Sequence, residues 1–250
     1  EEIASQLSKY LSPQLYDSIF SGEKKVSIES EKKFLTVFFS DIKGFTDLSD
    51  SLDPDLLAEL VNEYLSAMTD IALKHGGTID KFIGDAMMCI FGTPVPHDDD
   101  PDRAVRAAIR MMTDLKTFND KRISEGKMPI DHGMGINTDS IVSGNIGSPK
   151  RMDYTVIGDG VNLASRIESA CKQYNARILI SDFTFKKLKE PMIVIRGADG
   201  VIRCFYNTCQ HRGAPVVREE KGSDRRLRCQ YHSWTYDICL LYTSPSPRDS

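Results

Sequence analysis

The sequence predicts an α+β fold: an antiparallel sheet backed by helices over the first 190 residues, then a small all-β segment. Three observations predict it. Short β-branched and aromatic runs alternate with two long amphipathic stretches up to residue 190. Long helical patterns vanish after Pro191. Charge breaks at the same place. Residues 191–250 carry nine Lys and Arg against six Asp and Glu, while the remainder carries 23 against 30. At 250 residues and 40% hydrophobic, the chain can bury a core in one large domain or two small ones. It contains no run of about 18 apolar residues of the kind that spans a bilayer. Residues 1–20 lack the charged start and apolar block of a signal peptide, so a cytoplasmic location is expected.

Residues 1–30 open on EEIASQLSKYLSPQLYDSIF, whose apolar spacing reads as a linker helix from an upstream regulatory region; a start at Glu1 rather than Met points the same way. FLTVFF (34–39) is short and apolar enough for a buried strand. A helix follows, with Asp53 as its cap and Pro54 in its first turn. Leu56, Leu57, Leu60, Val61, Tyr64, Leu65, Met68 and Ile71 would line its buried face, and Gly76-Gly77 would end it. TIDKFIGDAMMCIF (78–91) reads as two strands turning at Gly84-Asp85. The second long helix starts near Pro101-Asp102 and buries Val105, Ala108, Ile109, Met112 and Leu115; the acidic HDDDPD (97–102) before it reads as a solvated loop and cap. A strand is expected at 131–137, then a hairpin, a helix at 161–173 and a strand at 176–180. The order β, α, β-hairpin, α, β is the ferredoxin-like βαββαβ arrangement. His75, His132, Cys89 and Cys171 read as structural, and Met87-Met88 as core.

Asp41 ends the first strand and Asp85 sits in the hairpin turn, so this fold would bring both carboxylates to one edge of the sheet. Paired carboxylates suit Mg²⁺, a hard ion that shares its shell with substrate phosphates. Taken alone, each Asp could equally serve its own turn. Three longer motifs decide between these. FFSDIKGFT, DKFIGDAMM and DYTVIGDGVNLASRIES, in this order, closely resemble class III nucleotidyl cyclases over roughly residues 5–189.

That resemblance implies roles. Asp41 and Asp85, with the Ile42 carbonyl, would hold two Mg²⁺ (or Mn²⁺) ions. Lys81 and Thr155 would select the purine: a lysine donates to adenine N1 and a threonine oxygen accepts from N6. ATP is the expected substrate and GTP the alternative. Asn162 and Arg166, four apart on one helix face, would orient the ribose and stabilise the transferring phosphoryl. The family's site lies between two subunits, which implies a homodimer. No nucleic-acid polymer is expected as a partner.

The second segment carries Cys209-x-His211 and, after seventeen residues, Cys229-x-x-His232. The spacing fits either zinc or an iron–sulfur cluster. The words YNTCQHRGAP and CQYHSWTYD resemble the Rieske [2Fe–2S] module of ring-hydroxylating oxygenases. By that resemblance Cys209 and Cys229 would ligate one iron and His211 and His232 the other, with Trp234 packed nearby. The module is expected over 190–237, after a cyclase domain at 31–189 that stops before its last strands and its triphosphate lysine. PMIVIRGADGVIRCFYN reads as a hairpin around Ala198-Asp199-Gly200. The end, CLLYTSPSPRDS, resembles translated sequencing adapter, and 238–250 is expected to be a scar with no structural partner. A chimera of two truncated domains and a redox-sensing cyclase are the two readings of the whole.

Overall fold

The computed structural model describes residues 30–148, 150–189, 192–197, 202–207, 209, 214–219, 222–224, 226–230, 233–237 and 243–244. The chain divides into two compact units, Glu1–Lys187 and Leu188–Ser250. The expected linker helix at 1–30 lies outside the described residues, apart from Ser30, which opens the first strand.

In the larger unit, β1 (Ser30–Ile42) is followed by a short helix α1 (Phe45–Ser51) and the long helix α2 (Pro54–Lys74). The hairpin β2 (Thr78–Ile83) and β3 (Ala86–Phe91) comes next, then α3 (Asp100–Ser124). β4 (His132–Ser148), β5 (Arg151–Ile157), α4 (Asp159–Gln173), β6 (Ile178–Ile180) and α5 (Asp182–Lys187) complete it. The sheet runs β2-β3-β1-β4-β5, with β6 parallel to β4. Its first four strands are the ferredoxin-like arrangement the element order predicts.

The central strand explains its own composition. Leu35, Val37 and Phe39 face a cluster that includes Ile141, Val156 and Ala164 of α4. Phe38 and Ser40 face the other way and are equally buried. A strand covered on both faces needs an unbroken apolar run rather than alternation. α2 behaves as its cap signals require: the Asp53 carboxylate accepts from the Asp55 N–H at 3.0 Å. Leu60, Tyr64, Leu65, Met68 and Ile71 are buried, but Leu56, in the first turn, is exposed.

Four other expectations need correction. In α3 the fully buried methionine is Met111, not Met112. The acidic run before α3 is not simply solvated: Asp100 and Asp102 are buried, and Asp100 accepts from the His97 N–H at 2.8 Å. The free N–H groups at a helix start favour such carboxylates. The strand expected at 131–137 runs on to Ser148, because β1 pairs with it from Ile42↔His132 to Ser30↔Gly144 and β5 pairs with its last seven residues. Finally, part of the terminal tail has a partner. Thr243–Ser244 forms a two-residue strand, β11, paired to β10 (Thr235–Asp237).

Glycine sets how closely α4 approaches β4. A Cβ on Gly135 would stand 2.2 Å from the Glu168 backbone nitrogen and 2.5 Å from the Ala164 carbonyl. The helix backbone therefore lies directly on the strand.

In the smaller unit, β7 (Met192–Arg196) and β8 (Ile202–Tyr206) form the expected hairpin, whose tip lies outside the described residues. β9 (Arg226–Arg228) pairs with β10. Among the described residues no helix is long and apolar enough to cross a membrane.

Candidate active site

β1 and β3 are hydrogen-bonded neighbours, with Ser40 opposite Met87. Asp41 therefore lies next to the turn that carries Asp85, a turn entered through Gly84 at φ +66°. The Ile42 N–H donates to Asp85 Oδ2 at 3.1 Å, which ties the end of β1 to that turn. Burial, then the neighbouring Asp85 carboxyl, then the charge of Glu168 push the Asp41 carboxyl well above the usual carboxylate range. Glu168, reaching in from α4, is also pushed up, first by burial.

Among the described residues no ammonium or guanidinium forms an ion pair with Asp41 or Asp85. Lys43, the nearby ammonium, is engaged by Asp131 Oδ2 at 3.1 Å and the Ala176 carbonyl at 3.0 Å. Asp41 Oδ1 is buried with no partner among the described residues. Adjacent acidic oxygens with an orphaned acceptor fit a hard divalent ion. Among the described residues no group of three or more His, Cys, Asp or Glu forms a complete protein cage. Mg²⁺ is commonly held by one or two carboxylates and completed by water and phosphate.

Lys81 and Thr155 are brought together by a residue that sequence reasoning missed. Asp80 Oδ2 accepts from Thr155 Oγ1 at 2.9 Å and lies 3.3 Å from Lys81 Nζ. The Asp80 side chain is 1% exposed and that of Lys81 44%. The register of β2 on β3 shifts between Ile79↔Cys89 and Lys81↔Met88, so Asp80 is the extra residue of a β-bulge. β2 and β5, the two ends of the strand path, touch here through side chains.

Asn162 and Arg166 stand exposed on α4, while Val161 and Ala164 pack against the sheet. Among the described residues, neither is drawn into the Asp41–Asp85 pair or the Asp80 cluster. His132, expected to be structural, is buried 3.3 Å from the Tyr64 hydroxyl, and burial draws its pKa down to about 4. His75 closes α2 through the Ile71 carbonyl at 2.8 Å.

In the smaller unit Cys209 and Cys229 are buried thiols in a cluster with Val216 and Tyr236, and Trp234 packs against these residues. The Tyr236 hydroxyl donates to Cys209 Sγ at 3.0 Å. His211 and His232 lie outside the described residues.

Known proteins match in the same two parts. The family model of the adenylate and guanylate cyclase catalytic domain matches residues 28–202, and that of the Rieske [2Fe-2S] domain matches 178–244. An adenylate cyclase of Anabaena cylindrica is 37% identical over 186 residues, 72% of this chain and 36% of that protein. The terminal-differentiation specific adenylate cyclase of Dictyostelium discoideum is 38% identical over 210 residues, 80% of this chain and 10% of that one. The chain thus spans about a third or less of these relatives. Among solved structures, the adenylyl cyclase CyaB from P. aeruginosa superposes with a TM-score of 0.62 at 46% identity, covering 67% of this chain and 86% of that one. The guanylyl cyclase Cya2 gives 0.60 at 35%, covering 70% and 90%. With its paired acidic turn on a ferredoxin-like sheet and a family match across most of its length, the chain belongs to the adenylate and guanylate cyclase catalytic domain family.

Proposed function

We propose that the larger unit converts ATP to 3′,5′-cyclic AMP and pyrophosphate at sites shared between two copies of the chain. The observation that carries this is the convergence of Asp41 and Asp85 with an orphaned carboxylate oxygen between β1 and the hairpin turn. Two Mg²⁺ or Mn²⁺ ions, held by Asp41, Asp85 and the Ile42 carbonyl, would supply charge neutralisation on the triphosphate and a more acidic ribose 3′-hydroxyl. Lys81 and Thr155 hold the base: the ammonium donates to adenine N1 and the hydroxyl oxygen accepts from N6. Asn162 orients the ribose, and the Arg166 guanidinium donates to the phosphoryl as its charge grows. Both stand on an exposed helix face, where a partner's Asp41–Asp85 pair can meet them. Use of ATP places this unit on the cytoplasmic side.

Mixing inactive Asp41→Ala and Arg166→Ala chains tests the shared site. Each variant alone loses roughly 10²–10³-fold in rate or more. The mixture regains activity through dimers that keep one intact site, and a mixture as inactive as its parts defeats the shared-site reading.

We propose further that Cys209, Cys229, His211 and His232 belong to a [2Fe–2S] site. Buried thiols beside Tyr236 and the Rieske match at 178–244 support it. The two family matches overlap at 178–202, which favours a chimeric join over complete domains in tandem. Uninterrupted sequencing reads across the codons for 180–250 test the join: the chimera predicts no single molecule that spans it.

A further inference from the structure

The hydroxyl of Thr155 carries one proton and two lone pairs, so on its own it could meet either a donor or an acceptor on a purine. A threonine at this position therefore does not discriminate adenine from guanine. Its neighbour supplies what is missing. The proton is committed to Asp80 Oδ2, at 2.9 Å. What Thr155 then offers a ligand is lone pairs alone. Adenine presents an amine there, which donates; guanine presents a carbonyl, whose oxygen would face oxygen.

The same carboxylate oxygen lies 3.3 Å from Lys81 Nζ. An ammonium has three protons, and one directed at Asp80 leaves the others for the ring nitrogen N1, an acceptor in adenine and a donor in guanine. One buried oxygen thus sets the hydrogen-bonding sense of both groups. The bulge in β2 is what aims it inward. Asp80 Oδ1 has no partner among the described residues. Burial with half its acceptors unmet is unfavourable for folding alone, and a carboxylate at this place is explained by what it orients. Burial pushes its carboxyl up, and the Thr155 hydrogen bond and the Lys81 charge oppose that and favour the anion.

Given the cyclase reading above, on which this rests, we infer that Asp80 is a positioning residue that makes the site select ATP over GTP by fixing the polarity of the Thr155 hydroxyl and the place of the Lys81 ammonium. It acts through those two groups without touching the nucleotide.

The test compares the full chain with Asp80→Asn, a near-isostere whose amide can donate as well as accept. Displacement of a fluorescent ATP analogue by ATP and by GTP is measured beside cyclic-nucleotide formation from each, with thermal midpoints as a check on folding. The expected result is a fall in the ATP:GTP preference by about tenfold or more, in binding and in kcat/KM, with the midpoint and the metal requirement unchanged. Thr155→Ser, which retains the hydroxyl, keeps the preference. Should Asp80→Asn fail to fold, Asp80→Ser, too short to span to Thr155, carries the same comparison. A variant that weakens both nucleotides equally, leaving the preference intact, overturns this inference alone. A parent chain that binds neither nucleotide overturns the cyclase reading and this inference together.

Discussion

The two units bury very different things. The larger closes a sheet between helices around Leu35, Val37, Phe38, Ile90, Met111 and Ile136. The smaller gathers around two sulfur atoms, with Cys209, Val216, Cys229 and Tyr236 as its buried cluster. Segments of this size bury too little apolar surface to be secure alone, and metals commonly supply the remainder. The larger unit therefore owes its fold to hydrocarbon. In the smaller, the thiols proposed above as ligands are themselves part of the core.

The largest effect that would break this contrast is optical. Reconstituted with iron and sulfide, the chain should absorb in the visible, and Cys209→Ser should abolish that absorption while cyclic-nucleotide formation persists. Colour that survives the substitution would remove Cys209 from the cluster, and lost turnover would show that the units depend on one another.

Magnesium sharpens the opposite side. At a hundred times its dissociation constant, an ion bound only by the folded state stabilises it by about 2.7 kcal/mol. The thermal midpoint of the larger unit should rise accordingly and Asp85→Asn should remove the response; a response retained by the variant would place the ion elsewhere. Next comes Gly135→Ala, which forces α4 off the sheet and should cost about 1–3 kcal/mol by denaturant titration. A neutral result would mean that the helix can retreat without loss. The smallest effect is Asp53→Ala, which removes the α2 cap and should cost about 1 kcal/mol with visible absorption unchanged.

Much of the larger unit was legible because its signals are local. Asp53-Pro54 marks a helix start, FLTVFF a doubly covered strand, and Gly84-Asp85 a turn. The convergence of Asp41 and Asp85 followed from topology. What escaped was set by distant partners. The strand expected at 131–137 continues through the polar, glycine-rich TDSIVSGNIGS (138–148) because β1 and β5 supply its hydrogen bonds. Asp80 escaped most completely: it reads as one more charge beside a lysine, and its meaning comes from a bulge and from a threonine 75 positions on. Glu168 was in view within VNLASRIES, but nothing local says that it leans toward Asp41 and Asp85.

The seat of α4 on β4 also bears on how this sequence can drift. Every missense change of one base in a glycine codon adds at least a Cβ. At Gly222 an added Cβ would meet no atom within 4 Å among the described residues. At Gly135 it would run into the backbone of the helix that carries Asn162 and Arg166. Single-nucleotide steps can thus carry position 222 toward other residues, while codon 135 has no neighbouring codon that leaves that helix where it lies.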